Sequence, residues 1–439
     1  MALLQKVKDI YRALPPWLTA PVKYVPDGLL FGRSFRACEP RTDLACLGPN
    51  LKAALDYARE HTVWGRENIP DKIAAEDAGK IVADLPVVGS QDISAAPEKF
   101  VSDEATEFNS YWTTTGMTKL PTHVKLSNSA YGVEWKHMLR IWELGGYNRQ
   151  RDLKLTFRGY KFKPGEFVRF DPIYNELSVD AFQVNNKTFP DFLSRIRRAN
   201  IACIHGYPTL IKMFKERLEN LDERFNVREI MLASEGASVA LKQELADFFH
   251  ARVMSWYGLT EKLVLAYDEK ADGRFVNFTS YGYPRIVDLG ENGVGEIVGT
   301  TFVNPAMPLV NYRTGDYGRI IREKDCMYIV DLQGRSAKDF VYESPDVKYS
   351  LTAIGAPDEV YRKMLFFQVI QHRYAEIEVL LLIRKEWQHE GDALLKQMRK
   401  SYETNLPRFK LTFRLVDDDS QMERSGRGKL RKLVQDLKI

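Results

Sequence analysis

From Asp191 to Trp256 the sequence alternates helical and strand patterns without a break, and that alternation limits the fold more than any other feature. Asp191–Asn200 reads as a helix and Ile201–Ile204 as a short buried strand. His205-Gly206-Tyr207-Pro208 turns the chain into a helix over Thr209–Asn220. Val227–Ala233 reads as a strand, Ala240–Phe249 as a helix and Arg252–Trp256 as a strand. Strands joined through helices run parallel, because a parallel pair needs a long crossover. Binding sites in such sheets lie beyond the C-terminal ends of the strands.

A chain of 439 residues is too long for one ordinary core, so two or three domains are expected. Residues 1–100 read as mostly helical, with Leu51–Glu60 one helix and Asp71–Leu85 another, stopped by Pro86. The pattern changes over 271–335. Arg274–Thr279, Gly295–Thr301, Tyr317–Ile321 and Met327–Asp331 read as strands with turns between them, a β-rich subdomain. The last block carries strand patterns near Leu365–Gln371, Glu376–Ile383 and Leu411–Val416 and a helix near Gly391–Thr404, the size of a small α+β domain. The expected division is 1–335 for a large α/β domain with parallel sheets, and 336–439 for a small mobile α+β domain.

Composition narrows the function classes. A formal charge of +4, mixed along the chain, gives no basic stripe for nucleic acid. The four cysteines, Cys38, Cys46, Cys203 and Cys326, have no C-x-x-C spacing for zinc or redox chemistry and suit a reducing compartment. Met1–Arg12 has no continuous apolar run of the signal-peptide kind, and Val379–Ile383 is too short to span a bilayer, so a cytoplasmic protein without a transmembrane segment is expected.

Six short segments can carry chemistry. Thr113-Thr114-Thr115-Gly116-Met117-Thr118 clusters hydroxyls around a glycine, which suits polyphosphate as well as an ordinary turn. Ala233-Ser234-Glu235-Gly236 follows a strand. Tyr257-Gly258-Leu259-Thr260-Glu261 follows another, where Thr260 and Glu261 can start a helix, or place a hydroxyl on phosphate and a carboxylate on Mg²⁺. Tyr312-Arg313-Thr314-Gly315-Asp316 reads as a tight glycine turn presenting a carboxylate to ribose hydroxyls, or as a plain hairpin turn. Gly334-Arg335 offers a cationic donor. Gly428-Lys429 places an ammonium beside a flexible residue close to the C-terminus. Gly293-x-Gly295-x-x-x-Gly299 has the wrong spacing for a dinucleotide loop and reads as hairpin glycines.

In this order and spacing the segments resemble the adenylate-forming superfamily of acyl-CoA synthetases, peptide-synthetase adenylation domains and luciferases. The short length is similar to the phenylacetate–CoA ligase branch and its CapK-type capsule-biosynthesis relatives. Leu14-Pro15-Pro16-Trp17, His205-Gly206-Tyr207-Pro208 and Phe366-Phe367-Gln368-Val369-Ile370-Gln371 add to that comparison. The resemblance implies that Thr114, Thr115, Gly116 and Thr118 hold the β- and γ-phosphates of ATP. Ser234, Glu235 and Gly236 would border adenine, with Tyr257 and Gly258 against the base. Thr260 would touch the α-phosphate, Glu261 would bind Mg²⁺, and Asp316 and Arg335 would hold the ribose. Lys429 would bridge the incoming carboxylate and the α-phosphate.

The expected reaction is AMP-forming: ATP and a carboxylate give an acyl-adenylate, and the acyl group passes to CoA or to an amine or sugar acceptor, in a capsule-like setting in surface polysaccharide synthesis. The family's phosphate loop departs here, with Lys119 at its second glycine and Leu120 at its lysine. Ala337 stands at the hinge position, beside Lys338 and Asp339. Tyr342–Lys348 lacks the glycine of the pantetheine-lining turn. These departures motivate an alternative, a degenerate nucleotide-binding or scaffold relative without ligase activity.

Overall fold

The computed structural model describes residues 19–115, 122–181, 183–184, 187–290, 293–334, 340–417, 421–423 and 431–437. Two compact units emerge. One holds the chain up to Thr113 together with Lys125–Gly334, the other Thr114–Val124 and the chain from Arg335 onward.

In the first unit, helices α1 (Leu47–His61) and α2 (Ala78–Asp84) precede β1 (Ser110–Thr115), which pairs with β2 (Thr122–Ser127), the end of β1 and the start of β2 being counted with the second unit. Helix α3 (Asn128–Leu144) follows, begun by the Ser127 side chain accepting from the Ser129 N–H. Then come β3 (Leu153–Arg158), β4 (Val168–Asp171), β5 (Glu176–Asp180), α4 (Phe189–Arg197), β6 (Ile201–Gly206), α5 (Pro208–Glu219), β7 (Glu229–Leu232), α6 (Val239–Phe249) and β8 (Arg252–Gly258). Antiparallel strands complete the unit: β9 (Leu265–Asp268), β10 (Phe275–Asn277), β11 (Gly282–Val287), β12 (Gly295–Thr301), β13 (Tyr312–Glu323) and β14 (Cys326–Gln333).

Strands β3 to β14 form one mixed sheet, in the order β11-β12-β13-β14-β10-β9-β8-β7-β6-β3-β5-β4. The run β8-β7-β6-β3-β5 is parallel. Strand alternation sorts its side chains onto two faces. Leu155, Phe157, Ile204, Ile230, Leu232 and Val253 pack against α4, α5 and α6, whose Phe192, Phe214 and Phe249 are fully buried. Each such side chain contributes roughly 1.5–3 kcal/mol. Cys203, Met231 and Met254 face the other way, toward Met138 and Trp142 of α3. Helices on both faces explain why these strands read as short apolar runs.

The sequence reading differs from the structure locally. The helix expected from Asp71 begins at Ala78. Residues 71–77 instead pass close to α1, where a Cβ on Gly48 would stand 2.8 Å from the Ala75 carbonyl oxygen. The expected β-rich stretch is present as β10 to β14, and β9 joins β10 to the edge of β8. The Gly315-Asp316 turn is the interior of β13.

The second unit holds β15 (Phe340–Tyr342) paired with β16 (Lys348–Ser350), and a four-stranded sheet in the order β19-β18-β17-β20. Its strands are β17 (Met364–Arg373), β18 (Glu376–Ile383), β19 (Lys410–Val416) and β20 (Leu433–Gln435). Helix α7 (Gly391–Asn405) buries Leu394, Met398 and Tyr402 against Val379 and Leu381. No helix among the described residues is long and apolar enough to cross a membrane.

Candidate functional site

The parallel strands β3, β5, β6, β7 and β8 end at one edge of the sheet, and the Ser234–Gly236 and Tyr257–Glu261 segments lie at the ends of β7 and β8. Ser234-Glu235-Gly236 leaves β7. Ser234 is exposed and held at φ +69, a left-handed conformation that a serine adopts only under constraint, while the Ala233 N–H before it donates to the Gly206 carbonyl at 3.1 Å. Gly236 is exposed, with open space where a side chain would stand.

Tyr257 and Gly258 end β8. Thr260 and Glu261 lie in the turn toward β9 and start no helix, so the capping role is not realised. The turn is fixed by Lys262, at φ +61, whose ammonium reaches Glu134 of α3 at 2.6 Å. Thr260 is exposed and Glu261 is buried.

Asp316 is aimed by its own motif. The Thr314 hydroxyl donates to the Ile297 carbonyl at 2.7 Å and accepts from the Asp316 N–H at 3.0 Å. Gly315 takes φ +76, and its N–H donates to Glu296 at 3.1 Å. The ladders on both sides of this point slip register, a bulge that interrupts pairing without ending the strand. Across 59 residues of sequence, the Tyr257 hydroxyl donates to Asp316 Oδ2 at 2.9 Å.

Two of the expected segments are thus brought into direct contact. Thr114 and Thr115 close β1. Gly116, Thr118, Lys119, Leu120, Arg335, Ala337, Lys338, Asp339 and Lys429 lie outside the described residues. The ends flanking Lys429 are described. Within the second unit, fully buried Gln368 donates to the carbonyls of Glu423 (3.0 Å) and Arg431 (2.6 Å) and accepts from the Glu423 N–H at 2.9 Å. The Arg431 N–H donates to the Glu423 carbonyl at 3.1 Å. One side chain therefore joins Glu423 and Arg431.

Sequence reasoning missed a buried polar cluster on the α3 face of the sheet. Lys154 pairs with Glu176 at 3.1 Å, its ammonium 4.6 Å from the centre of the Trp142 ring. Glu176 also accepts from Thr156, Ser178 and Tyr160. His205 stacks on Trp256 with ring centres 5.1 Å apart. The signal available was the strict alternation Lys154-Leu155-Thr156-Phe157-Arg158, which puts three polar side chains on one face of a central strand.

No protein-family model matches the chain, and no curated protein sequence does. Solved structures do. The chain is similar to 2-hydroxyisobutyryl-CoA ligase in complex with 2-HIB-AMP and CoA in the thioesterification state, with a TM-score of 0.54, 14% identity and 89% of each chain covered. It is also similar to an open conformation of that ligase in complex with 2-HIB-AMP and CoA, with a TM-score of 0.50 and 13% identity over 90% of this chain and 93% of that one. The chain therefore has the fold of the adenylate-forming enzymes.

Proposed function

We propose that this chain activates a carboxylic acid with ATP, forming an acyl-adenylate and pyrophosphate, and passes the acyl group to CoA or to an amine. The observation that carries this reading is the Tyr257–Asp316 contact, since it joins a ring able to cover a base to a carboxylate able to accept from ribose hydroxyls. Each carboxylate oxygen has two lone pairs, so the tyrosine bond leaves capacity for a ribose. Attack of a carboxylate on the α-phosphorus brings two anions together, and screening them is the main catalytic task. Thr260, exposed at the strand end, would donate to the α-phosphate, and Lys429 would lie between the two anions. Ser234, Glu235 and Gly236 would border adenine, and Arg335 would join Asp316 at the ribose. The phosphate-loop residues Thr114, Thr115, Gly116 and Thr118 would take the β- and γ-phosphates.

Glu261 fits Mg²⁺ in its chemistry: it is a hard oxygen donor next to a hydroxyl, and this ion takes one or two carboxylates with substrate phosphates and water. Bound there, the ion would neutralise phosphate charge. The narrower likeness to phenylacetate–CoA ligase and CapK-type proteins, and with it a place in surface polysaccharide synthesis, rests on the sequence segments.

The test is carboxylate-dependent ATP–pyrophosphate exchange by the wild type and Lys429→Ala. A fall of about tenfold or more in the variant is expected, from loss of one charge at the reacting phosphate. An unchanged rate would remove Lys429 from the mechanism. A wild type that exchanges with no acid, and that neither ATP nor AMP with Mg²⁺ stabilises in a thermal-shift titration, would favour the scaffold alternative. Asp316→Ala is expected to weaken AMP about tenfold in that titration, the effect of one charge-assisted hydrogen bond. Unaltered affinity would take the ribose away from Asp316.

A further inference from the structure

Arg158, the last residue of β3, is half-buried and has no carboxylate within ion-pairing distance among the described residues. Among the described residues its side chain makes one hydrogen bond, from a terminal guanidinium nitrogen to His205 Nε2 at 2.6 Å. His205 is fixed as an acceptor there, because its other ring nitrogen faces the Met231 carbonyl at 2.9 Å and must carry the proton. Burial, with Arg158 and Lys154 nearby, holds the imidazole well below its ordinary pKa, so it is neutral and brings no charge. Arg158 Nε is buried and meets no acceptor.

The neighbouring carboxylates have other partners. Glu176 is held by Lys154, Thr156, Ser178 and Tyr160. Asp180, beside Arg158 in the β3–β5 register, accepts from the Phe162 N–H at 2.9 Å and the Gln183 amide at 2.8 Å. Glu176 lies within electrostatic reach of Arg158 but is shared with Lys154, and a partly desolvated guanidinium with an unused donor and no direct ion pair among the described residues is a ready site for a planar oxyanion. It stands at the strand edge that carries the nucleotide motifs. Tyr207, one residue past β6, lies within the electrostatic reach of both Arg158 and Glu235.

We infer that Arg158, oriented by neutral His205, binds a second carboxylate on the acid being activated, so that the preferred substrates are dicarboxylic acids. This rests on the adenylation reading above, in which the first carboxylate attacks ATP. Arg158 selects the substrate and His205 positions Arg158.

The experiment compares butyrate with succinate, hexanoate with adipate and benzoate with terephthalate in pyrophosphate exchange, using the wild type, Arg158→Met and Arg158→Lys. In parallel, tryptophan fluorescence is titrated with each dicarboxylate in the absence of nucleotide, since Trp256 stacks on His205. In the wild type at least one dicarboxylate is expected to exceed its partner about tenfold in kcat/KM. Arg158→Met is expected to lose about ten- to a hundredfold on that acid and little on the monocarboxylate, with Arg158→Lys between. AMP stabilisation should match in all three proteins, which also shows that the variants fold.

Preference for monocarboxylates, or an equal loss on both members of each pair, overturns the inference and leaves adenylation standing. Exchange with no acid, together with Arg158-dependent quenching by a dicarboxylate, would sink adenylation and leave the anion site standing. Neither exchange nor quenching removes both.

Discussion

Lys242→Ala is expected to lower the unfolding free energy of the larger unit by about 3–5 kcal/mol, the range for breaking a buried ion pair from one side. Lys242 of α6 and Asp268 at the end of β9 are both almost completely buried, with Nζ 2.5 Å from Oδ2. Asp268 also accepts from the Asp272 N–H at 3.2 Å and the Gly273 N–H at 2.9 Å, closing the turn into β10, where Ala271 and Gly273 have positive φ. The pair thus ties the last crossover helix of the parallel region to the first antiparallel hairpin. Removing the lysine leaves a carboxylate with two amides and no counter-ion.

The measurement is urea unfolding followed by tryptophan fluorescence. Among the described residues, Trp64, Trp112, Trp135, Trp142 and Trp256 belong to the larger unit and Trp387 to the smaller, so the signal reports mostly the former. The double variant Lys242→Met with Asp268→Asn keeps an acceptor for the turn without a stranded charge, and should recover more than half of the loss. A midpoint in Lys242→Ala equal to that of wild type would show the pair to be energetically neutral.

The same region shows what a sequence discloses. The strands at Ile201 and Arg252 were legible because both faces of them are covered, so they appear as apolar runs bounded by Gly, Pro and charged residues. The Tyr257 and Asp316 segments were legible as motifs. Their hydrogen bond was not, because it depends on pairing between strands far apart in the chain. Gly315-Asp316 read as a turn since glycine before aspartate is a turn signal, and neighbours on both sides of β13 overrode it. Thr260-Glu261 read as a possible helix start, and the antiparallel return to β9 decided otherwise. Arg158 was invisible as a functional candidate because its meaning lies in what surrounds it: an imidazole 47 residues away, and carboxylates already taken by other groups.

Glu229→Gln is expected to stabilise the protein at pH 8 and to do so progressively less toward pH 5. Glu229 opens β7, is fully buried, and neither carboxyl oxygen has a hydrogen-bond partner among the described residues. It lies against Gly145 at the C-terminal end of α3, so close that a Cβ on that glycine would stand 1.6 Å from Oε1. Burial pushes its pKa up to about 7, against the weaker pull of Arg252 and Arg228 and with a further push from Asp152. The carbonyl end of a helix disfavours a negative charge as well. The folded protein therefore holds a proton here that the unfolded chain, at an ordinary 4.5, has released. The stability linked to this group is fully present below pH 4.5 and is lost as pH rises through about 7. Glutamine keeps the shape and carries no charge, so the stability difference between variant and wild type should grow by about 2–3 kcal/mol from pH 5 to pH 8. Paired urea melts at those two pH values measure it, and a difference that stays flat would mean that Glu229 is charged in the folded state. Glu229 sits at the N-terminal edge of the parallel strands, opposite the edge that carries Ser234, Thr260 and Arg158. The variant should accordingly leave AMP affinity unchanged, which separates a pH effect on the scaffold from one on the chemistry.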